Sequence, residues 1–124
     1  MELQDILLAD DEHLIRMLVE EALTEAGYAV CAASGGSEAL EMLAAPDQRF
    51  VGLVTDIRMP GSVNGWDLAH RARELRGDMT IVYISADSQA DWAVHGVPES
   101  IFVQKPFAAG QVIAALSTLL NKSG

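Results

Sequence analysis

Short apolar runs and stretches of helical periodicity alternate along the chain, and this alternation predicts its secondary structure. Residues 6–9 form a continuous apolar run, as expected for a strand buried on both faces. Apolar positions then recur at spacings of three and four residues, which predicts an amphipathic helix. These positions are Ile15, Leu18, Val19, Ala22, Leu23 and Ala26. Gly27 follows them as a glycine that ends a helix would.

The same two patterns repeat to the end of the chain. Strands are predicted over residues 28–33, 51–55, 80–84 and 100–103, and helices over 37–44, 68–75, 88–95 and 112–120. The polar tail, residues 121–124, is expected to fray. Five strands alternating with five helices predict a parallel sheet covered by helices on both faces. We expect residues 1–124 to form a single domain.

The net charge and the cysteine content of the chain limit which partners and which cellular location are expected. The chain has 124 residues and a formal net charge of −10, which argues against nucleic acid and anionic membranes and suits a metal cation or a basic partner. No apolar run approaches the length of about 20 residues that spans a bilayer, and the acidic start is unlike a signal peptide. The single cysteine, Cys31, is predicted to be a buried core residue, which fits a reducing, cytoplasmic location.

Polar residues of complementary chemistry follow the predicted strands. Asp10, Asp11 and Glu12 follow the first strand, Asp56 the third, Ser85 the fourth and Lys105 the fifth. Because the carboxyl ends of parallel strands meet at one edge of a sheet, we expect these side chains to converge there. Clustered carboxylates repel one another, and a divalent cation removes that conflict. Oxygen ligands favour Mg²⁺, whereas the scattered histidines offer no zinc spacing.

Each of these residues also has an ordinary structural interpretation. Asp10 or Asp11 would cap a helix, Asp56 would occupy a turn, and Lys105 would be a surface lysine. Ser85 alone carries little information, since serine often ends strands. The combination of Asp10, Asp11, Asp56, Ser85 and Lys105, rather than any single member, indicates a site.

Four motifs are similar to those of a known family. They are Leu-Leu-Ala-Asp-Asp-Glu at 7–12, Val-Thr-Asp-Ile-Arg-Met-Pro at 54–60, Ser-Ala at 85–86 and Lys-Pro-Phe at 105–107. In this order and spacing, over residues 5 to about 120, the chain resembles the response-regulator receiver domain of two-component signalling. The resemblance implies an α/β, flavodoxin-like (βα)5 three-layer sandwich with parallel strand order 2-1-3-4-5.

The resemblance also implies the chemistry of the site. Asp56 would be the phosphoacceptor, and Mg²⁺ would be held by Asp10, Asp11, Asp56 and the backbone carbonyl of Arg58. The phosphoryl group would come from a histidine kinase or a histidine phosphotransfer protein. Such a chain is a phosphoacceptor signalling domain rather than an enzyme.

Three further residues would bind the phosphoryl group or respond to it. Lys105 would pair with phosphoryl oxygens, aimed inward by a cis Lys105-Pro106 bond. The Ser85 hydroxyl would hydrogen-bond one of these oxygens, and its movement would free space for Phe102. Phe102 is interpreted equally well as a plain core aromatic. The output would be contact with an unknown downstream protein, without nucleic acid or membrane.

Rival interpretations stay open at this point. A pseudo-receiver that binds partners without phosphorylation is the main alternative, although the acidic pair, Asp56 and Lys105 argue against it. A hydrolase with an aspartate nucleophile would need a second aspartate where Arg58 stands. We expect a standalone receiver, and a receiver that is part of a longer hybrid kinase or transcription factor stays open as an alternative.

The chain departs from the family pattern in three places. The loop at residues 60–65 is about one residue longer than usual, and the segment from Ser85 to Lys105 is about two residues shorter, which predicts a stunted fourth helix. Arg58 and Asp87 are hypothesised to form an ion pair that hinders the water hydrolysing the acyl phosphate. Trp92, on the short helix, is a candidate anchor for a partner.

Overall fold

A computed structural model describes residues 4–86 and 89–123 and contains five strands and five helices over those ranges. In chain order they are β1 (Asp5–Ala9), α1 (His13–Glu25), β2 (Ala29–Ala33), α2 (Gly36–Ala44), β3 (Phe50–Asp56), α3 (Gly65–Leu75), β4 (Thr80–Ser85), α4 (Gln89–His95), β5 (Ser100–Gln104) and α5 (Ala109–Ser123). The predicted alternation of strands and helices is therefore confirmed.

All five strands pair in parallel, in the order β2-β1-β3-β4-β5. The order reverses between β1 and β3, because the chain moves outward to β2 and then crosses back over β1. Loops that follow β1 and β3 therefore leave the sheet in opposite directions and open a crevice at its carboxyl edge. The strand order implied by the family resemblance is confirmed.

The sheet divides the apolar core into two layers, because alternate residues of a strand point to opposite faces. One layer packs β1, β3 and β4 against α2 and α3, with Leu53, Leu43 and Leu68 at its centre. The other packs the opposite face against α1 and α5, with Leu23 and Leu116 at its centre. Helices on both faces make the three-layer sandwich that the pattern predicted.

Three local predictions were wrong. Cys31 is exposed rather than buried, because β2 is an edge strand and is covered less than the central strands. The helix α5 continues to Ser123, so the predicted end of the last helix at residue 120 was three residues short. Asp56 and Ser85 are the last residues of β3 and β4 rather than the first residues after them.

Two helix ends follow the chemistry of their residues. Gly27 adopts a φ of 99°, a left-handed conformation that favours glycine, directly after α1 and its cap residue Ala26. At the start of α3, the Asn64 side chain accepts the Asp67 amide at 2.9 Å, and Asp67 accepts the Asn64 amide in return. This capping box defines where the longer loop after β3 returns to the helix.

Candidate functional site

Three carboxylates from two strand ends meet at the carboxyl edge of the sheet. Asp10 and Asp11 follow β1, Asp56 ends β3, and one oxygen from each lies within 4.8 Å of the others. Asp10 is fully buried and Asp56 is 5% exposed. The two strands are neighbours in the sheet, so their ends deliver the three side chains to one place.

Only one of the two oxygens of the Asp10 carboxylate accepts a hydrogen bond from the described residues. Its Oδ1 accepts the Glu12 backbone N–H at 2.8 Å, while its Oδ2 is buried with no hydrogen-bond partner in the described structure. Asp10 does not cap α1, since the N-cap position belongs to Glu12 and carries no side-chain cap. The capping interpretation of Asp10 is therefore not supported by the helix start.

The Lys105 ammonium is the positive charge of the site. Its Nζ lies 2.8 Å from Glu12 Oε1, 3.2 Å from Asp56 Oδ2 and 3.6 Å from Asp10 Oδ2. The Lys105 backbone N–H donates to the Ser85 carbonyl at 2.8 Å, and the Lys105-Pro106 peptide bond is cis. The end of β4 thus supports the backbone from which the lysine reaches the carboxylates.

Burial and neighbouring charges shift the pKa values of Asp10, Asp56 and Lys105. Burial raises the pKa of Asp10 from 3.8 to about 6, and the charge of Asp56 adds to this rise against the opposing effects of the Glu12 amide and Lys105. Burial also raises the pKa of Asp56, although Lys105 and the Ile57 amide act to lower it. Burial alone would lower the pKa of Lys105, but the hydrogen bond to Glu12 and the charges of Asp56 and Asp10 outweigh it and raise the pKa.

The loop after β3 packs closely against the backbone of Asp56. The Ile57 amide donates to Asp56 Oδ1 at 2.7 Å, and the Gly65 amide donates to the Ile57 carbonyl at 2.8 Å. A side chain at Gly65 would place its Cβ 2.2 Å from the Asp56 carbonyl oxygen and 2.7 Å from Ile57 Cα. Gly65 therefore permits the close approach of this loop to the end of β3.

The other predicted residues occupy distinct positions around this cluster. Ser85 is buried at the end of β4, one residue beyond Ile84, which is the register partner of Asp56. Arg58 is exposed and lies two residues beyond Asp56. The hypothesised partner of Arg58, Asp87, lies outside the described residues.

An aromatic group lies behind Ser85, on the α3 and α4 side of the sheet. Phe102 is 9% exposed on β5, and its ring centroid is 6.2 Å from that of Trp92 on α4. The Trp92 indole N–H donates to Ser100 Oγ at 2.9 Å, and Ser100 Oγ donates to the Val97 carbonyl at 2.6 Å. Tyr83, on β4, accepts the Val97 amide at 3.2 Å, so the loop after the short α4 is bound to two strands.

The donor set fits a hard divalent cation. Three carboxylates offer oxygen atoms within 4.8 Å of one another, and the buried Oδ2 of Asp10 has no hydrogen bond to satisfy it. Like charges at this spacing raise the pKa of a carboxyl group, and a bound cation would reverse that effect. Oxygen ligands without thiolate or imidazole favour Mg²⁺ or a similar ion.

Sequence reasoning missed two contacts of the site. Glu12 was recognised only as an acidic residue after the first strand, yet it forms the closest of the three ion pairs to Lys105. Arg16 was not identified, although its guanidinium donates to the Asp10 carbonyl at 2.8 Å. The spacing of the two residues could have indicated that Arg16 lies near the site, because Arg16 follows Glu12 by four residues and therefore lies on the same face of α1.

Comparison with known proteins now identifies the family. A family model described as the response regulator receiver domain matches residues 6–117. The chain belongs to the response regulator receiver family. Receivers are signalling domains of two-component systems, in which response regulators are phosphorylated by histidine kinases.

Two kinds of relative extend this assignment. The response regulator MprA of Mycobacterium ulcerans (strain Agy99) is 31% identical over 120 residues, which cover 95% of this chain and 50% of the relative. A response regulator receiver protein from Sinorhizobium medicae WSM419 is 47% identical, with a TM-score of 0.93 and coverage of 97% and 96% of the two chains. The chain spans about half the length of the curated relatives that it matches.

One related structure holds a metal. The response regulator TrrA of Thermotoga maritima, solved in complex with Mg²⁺-BeF, is 29% identical to this receiver. Its TM-score is 0.80, and the match covers 94% of this chain and 99% of that one.

In this receiver, no helix within the described ranges is long and apolar enough to cross a membrane.

Proposed function

We propose that this receiver takes a phosphoryl group onto Asp56 from a phosphohistidine donor, with Mg²⁺ held by Asp10, Asp11 and Asp56 and by the Arg58 backbone carbonyl. The observation that carries the proposal is the meeting of three carboxylates within 4.8 Å, two of them paired with the Lys105 ammonium. Mg²⁺, when bound, would place positive charge against the phosphoryl oxygens.

The residues of the chain prepare the acceptor for this reaction. The Ile57 amide holds Asp56 Oδ1, and Lys105 lies 3.2 Å from Oδ2, so the carboxylate has one defined orientation. An Asp56 oxygen forms the new bond to phosphorus, the phosphorus–nitrogen bond breaks, and the electron pair remains on the donor imidazole. Lys105 then pairs with the transferred oxygens, whose charge is spread in the transition state.

We propose that Ser85 and Phe102 respond to phosphorylation of Asp56. A phosphoryl group on Asp56 adds strong hydrogen-bond acceptors near the end of β4. The Ser85 hydroxyl would move to donate to one of them, and Phe102 would turn into the space that Ser85 leaves. The surface formed by α4 and β5 would then change for a downstream protein partner. Absence of nucleic-acid binding stays a prediction that follows from the net charge of −10.

The test of this function is phosphorylation by acetyl phosphate, followed by intact mass. We expect the mass of one added phosphoryl group with MgCl₂ and none with EDTA. Asp56→Asn should remain unmodified, whereas Asp47→Asn, which changes an exposed aspartate in a surface loop, should be modified like the wild type. A wild-type mass that stays unchanged with MgCl₂ would support a pseudo-receiver instead.

A further inference from the structure

Glu12 has no part in the proposed reaction, yet it holds the lysine on which that reaction depends. Its Oε1 lies 2.8 Å from Lys105 Nζ, closer than the oxygens of Asp56 and Asp10 at 3.2 and 3.6 Å. We propose that Glu12 is a positioning residue that draws Lys105 away from the incoming phosphoryl group and thereby slows phosphoryl uptake. The inference rests on the proposed function and adds a control of its rate.

The backbone of Glu12 is held by two hydrogen bonds, whereas its side chain is largely exposed. As the N-cap residue of α1, Glu12 donates its amide to Asp10 Oδ1 at 2.8 Å, and its carbonyl accepts the Arg16 amide at 2.9 Å. Its side chain is 56% exposed, compared with 0% for Asp10 and 7% for Asp56. Glu12 therefore approaches Lys105 from the solvent side, and this contact breaks without disturbing the helix start.

The shortest hydrogen bond of Lys105 goes to Glu12. Of the three N–H groups of the ammonium, two donate to Glu12 Oε1 at 2.8 Å and to Asp56 Oδ2 at 3.2 Å, while Asp10 Oδ2 lies 3.6 Å away, beyond hydrogen-bond distance. Equatorial oxygens of a transferring phosphoryl group require at least one of these donors. Breaking the contact with Glu12 costs the least free energy, because its carboxylate is exposed and can be hydrated by water. Lys105 therefore gives up Glu12, rather than Asp56 or Asp10, when it donates to a phosphoryl oxygen.

The hydrogen bond of Lys105 changes partner while the phosphoryl group is transferred. With acetyl phosphate, an Asp56 oxygen bonds to phosphorus, the phosphorus–oxygen bond to acetate breaks, and acetate leaves with the electron pair. Lys105 keeps its protons and moves one hydrogen bond from Glu12 to a phosphoryl oxygen. The negative charge of Glu12 also repels the phosphate of the donor. Both effects oppose uptake.

The experiment measures the rate constant of phosphorylation by acetyl phosphate at saturating MgCl₂. Glu12→Gln should react about two- to fivefold faster than the wild type, the range expected for an exposed ion pair. Glu12→Asp keeps the charge but is one methylene shorter, so it should also react faster because its carboxylate loses contact with Lys105. Glu21→Gln removes a charge from an exposed position on α1 and should leave the rate unchanged.

Each outcome separates the two proposals. A phosphorylated wild type with an unchanged or slower Glu12→Gln variant would overturn the role of Glu12 and leave the proposed function standing. An equal acceleration in Glu21→Gln, or a wild-type rate in Glu12→Asp, would assign the effect to charge alone and also overturn the inference. A wild type that takes up no phosphoryl group overturns both. Urea unfolding of each variant shows whether the fold is preserved.

Discussion

The Lys105 ammonium lies 3.2 Å from Asp56 Oδ2, although the two residues are separated by 49 positions in the chain. Asp56 ends β3 and Lys105 follows β5, and these two strands are not neighbours, since β4 lies between them. The lysine crosses this gap because its backbone N–H donates to the carbonyl of Ser85, the last residue of β4. The end of the intervening strand thus supports the ion pair.

Replacing Lys105 with methionine should slow phosphoryl uptake and destabilise the metal-free protein. Removal of the ammonium leaves the buried carboxylates of Asp10 and Asp56 unbalanced. We expect uptake from acetyl phosphate to fall about 100-fold, as for loss of a group that stabilises transition-state charge. Loss of the ion pairs should lower the free energy of unfolding at pH 7.5 by about 1–3 kcal/mol.

The matched control for this change is Lys122→Met, which alters an exposed lysine near the end of α5. Its uptake rate and unfolding free energy should equal those of the wild type. Stopped-flow or quenched phosphorylation and urea denaturation supply both measurements. Equal uptake rates in the Lys105→Met and Lys122→Met variants would contradict the role proposed for the Lys105 ammonium.

The metal-free protein should become less stable as the pH rises from about 4 to about 6. Burial raises the pKa of Asp10 from 3.8 to about 6, so the folded state binds the proton more tightly than the unfolded state. Stability therefore falls through this window and levels off above it. Asp10→Asn removes the contribution of Asp10 and leaves that of Asp56, whose pKa is also raised by burial, so the variant should lose less stability as the pH rises. Its unfolding free energy should exceed that of the wild type by about 1–3 kcal/mol at pH 7.5 in EDTA.

Urea denaturation in EDTA at pH 4.5 and 7.5 measures this difference. The same experiment with MgCl₂ should stabilise the wild type and leave Asp10→Asn nearly unaffected, because the variant lacks one of the three carboxylates. If both proteins lose the same stability between the two pH values in EDTA, Asp10 is not the group that titrates.

A methyl group at Gly65 should destabilise the fold around Asp56. The added Cβ would lie 2.2 Å from the Asp56 carbonyl oxygen and 2.7 Å from Ile57 Cα, both backbone atoms that cannot move freely. We expect Gly65→Ala to lower the free energy of unfolding by about 2–4 kcal/mol. Gly77→Ala is the control, since nothing lies within 4 Å of its Cβ position. Equal stability of the two variants would contradict the close packing at Gly65.

Trp92 should report the proposed movement of Phe102. Its ring lies 6.2 Å from that of Phe102, whereas the ring of Trp66, the other tryptophan of the chain, packs at a tilt against Tyr83, with ring centroids 4.8 Å apart. In a Trp66→Phe background, phosphorylation should change the emission of Trp92. In a Trp92→Phe background, the emission of Trp66 should change less. An emission of Trp92 that phosphorylation leaves unaltered would identify Phe102 as a static core residue.

The sequence alone determined the architecture and the convergence of Asp10, Asp56 and Lys105. Apolar runs and helical periodicity report burial along a single element, so they predicted five strands and five helices in the observed order. Parallel strands carry their carboxyl ends to one edge, so the residues after β1, β3 and β5 were expected to converge. Asp10, Asp56 and Lys105 do so.

Only the tertiary structure decided how these residues share their charges. Glu12 and Arg16 are ordinary helix-start residues in the sequence, but the fold brings the residue before α1 and the residue after β5 together, so that the carboxylate of Glu12 lies 2.8 Å from Lys105. The same holds for Cys31, whose strand looks apolar but lies at the edge of the sheet and is exposed. A sequence pattern records the environment along one element, whereas ion pairing and edge exposure depend on which elements become neighbours.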